Sequence, residues 1–174
     1  MHIEFTQADS SHIDKLVQLV NSSYRGESSK QGWTTEADLL DGQRVDAEGL
    51  RESLNKGDSV VLIAEDEDSD TLLGCVHLEK QGHKCYLGML TVSPDKQNKG
   101  LGKMLMTEAE AFAQFWDCTS IFMTVISVRE ELIAWYQRHG FRATGEKKAF
   151  PYGDERFGLP RVNSLEFIVL EKKI

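Results

Sequence analysis

Residues 90–115 read LTVSPDKQNKGLGKMLMTEAEAFAQF: the end of an apolar strand, a polar stretch with a Gly-x-Gly turn, and a helix. The strand runs from Tyr86 to Val92 and the helix from about Lys99 to Phe115. The turn between them is expected to hold an anion. The first four N–H groups of a helix have no internal partner and carry partial positive charge, so a phosphate placed there accepts several hydrogen bonds at once. Glycine at 100 and 102 removes side chains that would keep the anion away, and Lys99 and Lys103 add formal charge.

Two better-known glycine motifs are excluded. A triphosphate P-loop needs Ser or Thr after its Gly-Lys pair, and here Gly102-Lys103 is followed by Met104. The dinucleotide fingerprint needs Gly or Ala three places beyond its second glycine, and that place is Leu105. On their own, the two glycines are equally consistent with a bare tight turn.

Working outward, the helix is followed by a strand at Ser120–Ile126, a helix at Arg129–Arg138, a strand at Phe141–Glu146 and a last strand near Ser164–Leu170. A strand, a long helix and another strand form a right-handed crossover with parallel strands. Upstream, Ser59–Glu65 and Leu72–Leu78 flank the acidic turn Asp66-Glu67-Asp68-Ser69-Asp70 as an antiparallel hairpin, and Gln81-Gly82-His83 turns the chain into Tyr86. Ser11 and Asp14 have capping-box spacing ahead of a helix at His12–Asn21. Asp46–Leu54 reads as a short helix, and the polar residues 22–41 read as a partly irregular flap. The expected fold is a single α/β domain over residues 1–174: a central mixed sheet, mostly antiparallel with one parallel β-α-β crossover, and helices on both faces.

Ala134-Trp135-Tyr136-Gln137-Arg138-His139-Gly140-Phe141 ends a helix with basic residues and a glycine cap before a new strand. Together with Gln97-x-x-Gly100-x-Gly102 behind a strand and Pro94, it resembles the GNAT N-acetyltransferase superfamily, most specifically from Cys85 to Phe141. The resemblance implies transfer of an acetyl group from the co-substrate acetyl-CoA to a primary amine of a small molecule or peptide, by direct attack in a ternary complex. It implies that Leu90, Thr91 and Val92 hold the pantetheine arm through their backbone, and that Gln97, Asn98, Lys99, Gly100, Leu101, Gly102 and Lys103 hold the pyrophosphate. The cofactor is then expected in the gap between Val92 and Val125, where the two parallel strands splay apart.

Tyr136 matches the family's general acid. A phenol of pKa about 10 lies close enough to a thiol of about 8.5 for proton transfer to the leaving sulfur to be nearly balanced. A base is harder to find. Glu79 or His77, two apart and so on one strand face, is the candidate, against ordered water as the alternative. Arg129 departs from the Asn that many relatives carry and reads as a solvated surface arginine, against a cap on the strand-to-helix turn or a reach to a phosphate as alternatives. Tyr24, Trp33, Asp38 and Phe150–Arg156 fall where relatives shape the acceptor pocket, and Met89, Leu90 and Met123 where an acyl group would lie. Two alternatives stay open: a non-catalytic acyl-CoA-binding or sensing domain, and a transferase of a longer acyl group.

The chain of 174 residues carries a net charge of −8, which argues against a broad nucleic-acid surface and suits a cationic acceptor, or solubility alone. Cys75, Cys85 and Cys118 fit neither a zinc site nor a disulfide framework, so they are expected as buried free thiols with no metal. The N-terminus lacks a signal-peptide pattern, and no stretch reaches membrane-spanning length, so a cytoplasmic protein without a membrane partner is expected. The sequence leaves room for a homodimer.

Overall fold

Strands that are apolar at every position need cover on both faces, and this requirement organises the computed structural model. The structure describes residues 1–25, 36, 37, 40, 41, 44–97, 99–149, 159–161 and 165–174. Among them are nine strands: β1 (Ile3–Gln7), β2 (Leu40–Asp41), β3 (Ser59–Asp66), β4 (Thr71–Gln81), β5 (Lys84–Val92), β6 (Ser120–Ile126), β7 (Arg142–Ala149), β8 (Leu159–Pro160) and β9 (Glu166–Lys173). Four α-helices accompany them: α1 (Ile13–Tyr24), α2 (Ala47–Asn55), α3 (Leu101–Phe115) and α4 (Glu130–Arg138).

Seven strands form one sheet in the order β1-β3-β4-β5-β6-β9-β7, and β2 pairs with β8 apart from it. The sheet is antiparallel except at β5–β6, which is parallel because α3 crosses between them. Alternation along β3 sends Val61 and Ile63 to one face, where they pack with α1 and α2, and Leu62 and Ala64 to the other, where they pack with α3 and α4. Both faces are thus capped by amphipathic helices, as expected from the sequence.

Three details differ from the sequence reading. Strand β1 was not anticipated: IEFTQ offers only Ile3 and Phe5 as apolar residues, and it forms an edge by pairing with β3. The N-terminal cap of the first helical segment is Asp9, not Ser11. Its side chain accepts from Ser11 N–H at 2.9 Å, and His12 Nδ1 accepts from Asp9 N–H at 3.0 Å, which closes a capping box over a short 3-10 turn, Ser10–His12. The α-helix proper begins at Ile13, one turn later than that cap. Phe141 belongs to the core rather than to a strand, being 1% exposed, and β7 begins after it.

Strand β5 carries the feature that creates the site. It pairs with β6 only at Lys84, Cys85 and Tyr86, while β6 pairs with β9 from Ser120 to Ile126. Residues 87–92 therefore diverge from β6. A bulge accompanies the divergence: Met89 has φ +56°, and the β4–β5 register shifts between Cys75 and His77. The extra residue reverses the alternation, so Cys85 and Leu87 share a face with Leu90 and Val92, while Met89 joins the α1–α2 side.

Candidate active site

The diverging end of β5, the start of α3 and the inner side of α4 enclose a cleft of about 500 Å³. Its walls include Leu90 and Val92 from β5, Gln97 and Gly100–Lys103 from the turn, and Trp135 and Tyr136 from α4. Gly100 is the N-cap residue of α3 and has φ +81°, a left-handed conformation that suits glycine. Among the described residues no side chain caps this end, which leaves N–H groups of the first turn for a ligand. Gly102 is small for a different reason: a Cβ there would lie 3.3 Å from Trp135 Cζ2. The Trp135 ring stacks on His139 with centroids 4.0 Å apart and lines the cleft close against the turn at Gly102.

Side chains hold the carbonyls of the diverging strand. The Tyr24 hydroxyl of α1 donates to the Leu90 carbonyl from across the sheet. Gln97 Nε2 donates to the Val92 carbonyl at 3.0 Å, and Thr91 Oγ1 to that of Met89 at 2.8 Å. These bonds replace part of the missing ladder and keep the gap open in the absence of a neighbouring strand.

A second cavity, of about 220 Å³, lies on the α1 side of the gap. Its floor is β5 from Tyr86 to Leu90 and β6 from Met123 to Ile126, with Phe167 of β9 beside them. Tyr24, Arg25, Glu36, Arg44 and Arg129 supply its polar lining. Glu36 is buried between two guanidinium groups, 3.0 Å from Arg25 Nη2 and 3.3 Å from Arg129 Nη1. The two cavities share Leu90, Leu132 and Tyr136, so they meet through the gap between the strands.

Tyr136 stands at this junction. It is 5% exposed, packs edge-on against Trp135 and Phe141, and its hydroxyl makes no hydrogen bond among the described residues. Burial pushes its phenol well above the ordinary pKa, and nearby Tyr24 adds to the effect over the opposing pull of Arg129. The group is therefore a neutral O–H facing both cavities, and a weaker acid toward a thiolate than the near balance expected of an ordinary phenol. Burial raises Tyr24 in the same way, to about 12.

The Acetyltransferase (GNAT) family matches residues 14–141, most of the chain. The chain belongs to this family. The GNAT fold is seen again in a PaiA N-acetyltransferase from Thermoplasma acidophilum solved in complex with coenzyme A, which is 19% identical with TM-score 0.70 over 100% of both chains. An N-acetyltransferase from Staphylococcus aureus is 16% identical with TM-score 0.73, covering 99% of this chain and 98% of its own. An IAA acetyltransferase from Bacillus cereus is 15% identical with TM-score 0.66, covering 99% and 100%. No curated protein sequence matches the chain.

Within this GNAT chain, the residues expected at the cofactor separate clearly. Leu90, Val92, Gln97, Gly100, Leu101, Gly102 and Lys103 line the large cleft. Thr91 is fully buried and turned onto the Met89 carbonyl, and the Lys99 side chain is exposed outside the cleft; neither lines it. Asn98 lies outside the described residues, as do Trp33, Asp38 and Phe150–Arg156. Tyr136 and Glu79 are not brought together: Glu79 accepts from Lys56 Nζ at 2.5 Å and lines neither cavity. His77 sits 2.7 Å from Ser59 Oγ in an adjoining cavity, and burial depresses its pKa. Arg129 is not the solvated arginine expected. Its side chain is 8% exposed because the Glu36 carboxylate draws it inward.

Sequence reasoning missed Trp135, Arg25, Glu36 and Arg44. Trp135 was visible in the quoted helix end, and its spacing of four from His139 was a usable signal for a stacked pair. Glu36 and Arg44 gave no such signal, since each stands alone in a polar stretch.

Proposed function

We propose that the protein moves the acetyl group of acetyl-CoA to a primary amine by direct attack within a ternary complex. One observation supports this above the others: two cavities on opposite sides of the sheet meet at the Tyr136 hydroxyl through the gap between β5 and β6. A thioester entering from the α3–α4 side and an amine entering from the α1 side would come together at that point.

The uncapped first turn of α3 and Lys103 suit a pyrophosphate, and the diverging edge of β5 suits an amide-bearing pantetheine arm. Bound acetyl-CoA supplies the activated acyl thioester. The acceptor arrives as an ammonium ion and first gives one proton to water, because Glu79 is held away by Lys56. Its nitrogen then forms the new N–C bond as the C–S bond breaks. Tyr136 gives its proton to the departing sulfur and regains one from the nitrogen, so that acetylated amine, free CoA and one proton leave. Backbone N–H groups at the diverging strand end stabilise the oxyanion. The three buried free thiols take no part, and they suit a reducing compartment, so we place the reaction in the cytoplasm.

Calorimetric titration with acetyl-CoA, followed by steady-state release of free CoA with an amine panel, tests this reading. Saturable binding with amine-dependent release is the expected result. Binding without release by any amine would leave an acyl-CoA sensor instead, and tighter binding of a longer acyl-CoA would reassign the donor.

A further inference from the structure

The polar side of the smaller cavity carries an unusual charge for this protein. Among the described residues it presents three guanidinium groups, Arg25, Arg44 and Arg129, against one carboxylate, Glu36, in a chain whose net charge is −8. Glu36 spends both oxygens on Arg25 and Arg129. Arg44 has no carboxylate within ion-pair distance among the described residues, and its guanidinium carbon lies 5.5 Å over the Tyr24 ring. It is also fixed in place: Asn21 Oδ1 accepts from Arg44 N–H at 2.6 Å and from Val45 N–H at 2.9 Å, and Asn21 Nδ2 donates to the Val45 carbonyl at 2.9 Å.

The Arg44 guanidinium is half-buried and, over the cost of that burial, favoured as a cation by nearby Glu36 and Tyr24, yet it holds no carboxylate of its own among the described residues, which leaves its donors for an incoming anion. On the described side of the cavity, Arg44 therefore suits an acceptor that carries an anionic group beside its amine. A planar guanidinium fork is matched by a carboxylate, which it can bind through two parallel hydrogen bonds. The remaining lining is mostly apolar, with Leu87, Met89, Met123, Val125 and Phe167 beside the hydroxyls of Tyr86, Thr124 and Tyr136. The volume of about 220 Å³ falls below the roughly 300–1,000 Å³ of drug-sized pockets.

Resting on the acetyl-transfer reading above, we propose that the acceptor is a small amine that itself carries a carboxylate, an amino acid with an apolar side chain. Arg44 and Arg129 hold the carboxylate, and the amine faces Tyr136. The reaction balances as before, with the carboxylate unchanged throughout.

The test compares methionine, leucine and phenylalanine with their primary amides and with the amines lacking the carboxyl group. Free CoA and acetylated product are measured with the full chain and saturating acetyl-CoA. The free acids should exceed the amides in kcat/KM by about 10–100-fold, the worth of one charge-assisted hydrogen bond. Arg44→Gln should raise KM for the acids and shrink that preference to within about threefold, with the acetyl-CoA Kd unaltered; Arg44→Lys should fall between. Amides or simple amines turned over as well as the acids by the unmodified protein would overturn the proposal. So would the absence of both turnover and carboxylate-dependent binding when these probes are titrated into CoA-saturated protein. Failure of acetyl-CoA itself to bind would strike the earlier reading first.

Discussion

The two cavities that meet at Tyr136 are built in opposite ways. The larger one takes its walls from two local segments, Leu90 to Lys103 and Glu131 to His139. The smaller one gathers Tyr24, Arg25, Glu36, Arg44, strands β5 and β6, Arg129 and Phe167 from the length of the chain. A pyrophosphate can be held by consecutive N–H groups at one helix end, so a single turn suffices. Recognition of a small charged molecule needs side chains from several directions, and only tertiary structure can supply them.

The largest effect should come from the smaller cavity. Glu36→Ala removes the carboxylate that Arg25 and Arg129 share, and breaking such a buried pair from one side costs about 3–5 kcal/mol. Urea denaturation should show this loss, and a change under 1 kcal/mol would mean that the cluster is solvated in practice. On the other side, Gly102→Glu puts bulk against Trp135 and negative charge at the helix end. It should weaken acetyl-CoA binding by calorimetry roughly hundredfold, about 2.7 kcal/mol, while the fold persists. Unchanged binding would dissolve the contrast between the two sides, because the turn would then be only a turn.

At the junction, Tyr136→Phe should lower kcat about hundredfold with acetyl-CoA Kd nearly constant, as loss of a proton donor requires. A raised Kd with unchanged kcat would assign the residue to binding. Tyr24→Phe removes the donor that α1 lends to Leu90 and should destabilise the fold by about 1–3 kcal/mol in urea.

The smallest effect is a pH dependence. His77 has a folded pKa below its ordinary 6.5 because burial disfavours the cation, so the unfolded chain binds more protons as pH falls past that value. Its contribution to stability is present above pH 6.5 and is lost on acidification. A His77→Gln variant should show a flatter fall in Tm between pH 7 and pH 5 than the parent.

How much was legible follows the same division. The hairpins, the crossover helix and the glycine turn ahead of it announced themselves because period, turn residues and helix punctuation act over a few neighbours. The Arg129 burial could not be read in this way. Its partner Glu36 stands 93 positions earlier, and nothing near either residue encodes the meeting. Strand β1 was missed because two apolar residues in five do not distinguish a strand from a tail; pairing with β3 decides it. Asp9 was overlooked as a cap because His12, rather than an acidic residue, completes its box.

The placement of β9 has a consequence for how the molecule is made. It is the last of the described strands in sequence order, yet it lies between β6 and β7. As synthesis proceeds, β6 emerges with an open edge on that side, and β7 has no sheet neighbour until residues 166–173 follow. An early-emerging amino half can close its hairpins locally, but the cavity wall at Phe167 and the registry of β7 must wait until residues 166–173 have been made. Nascent chains stalled before that point would offer an unpaired edge to chaperones and to one another.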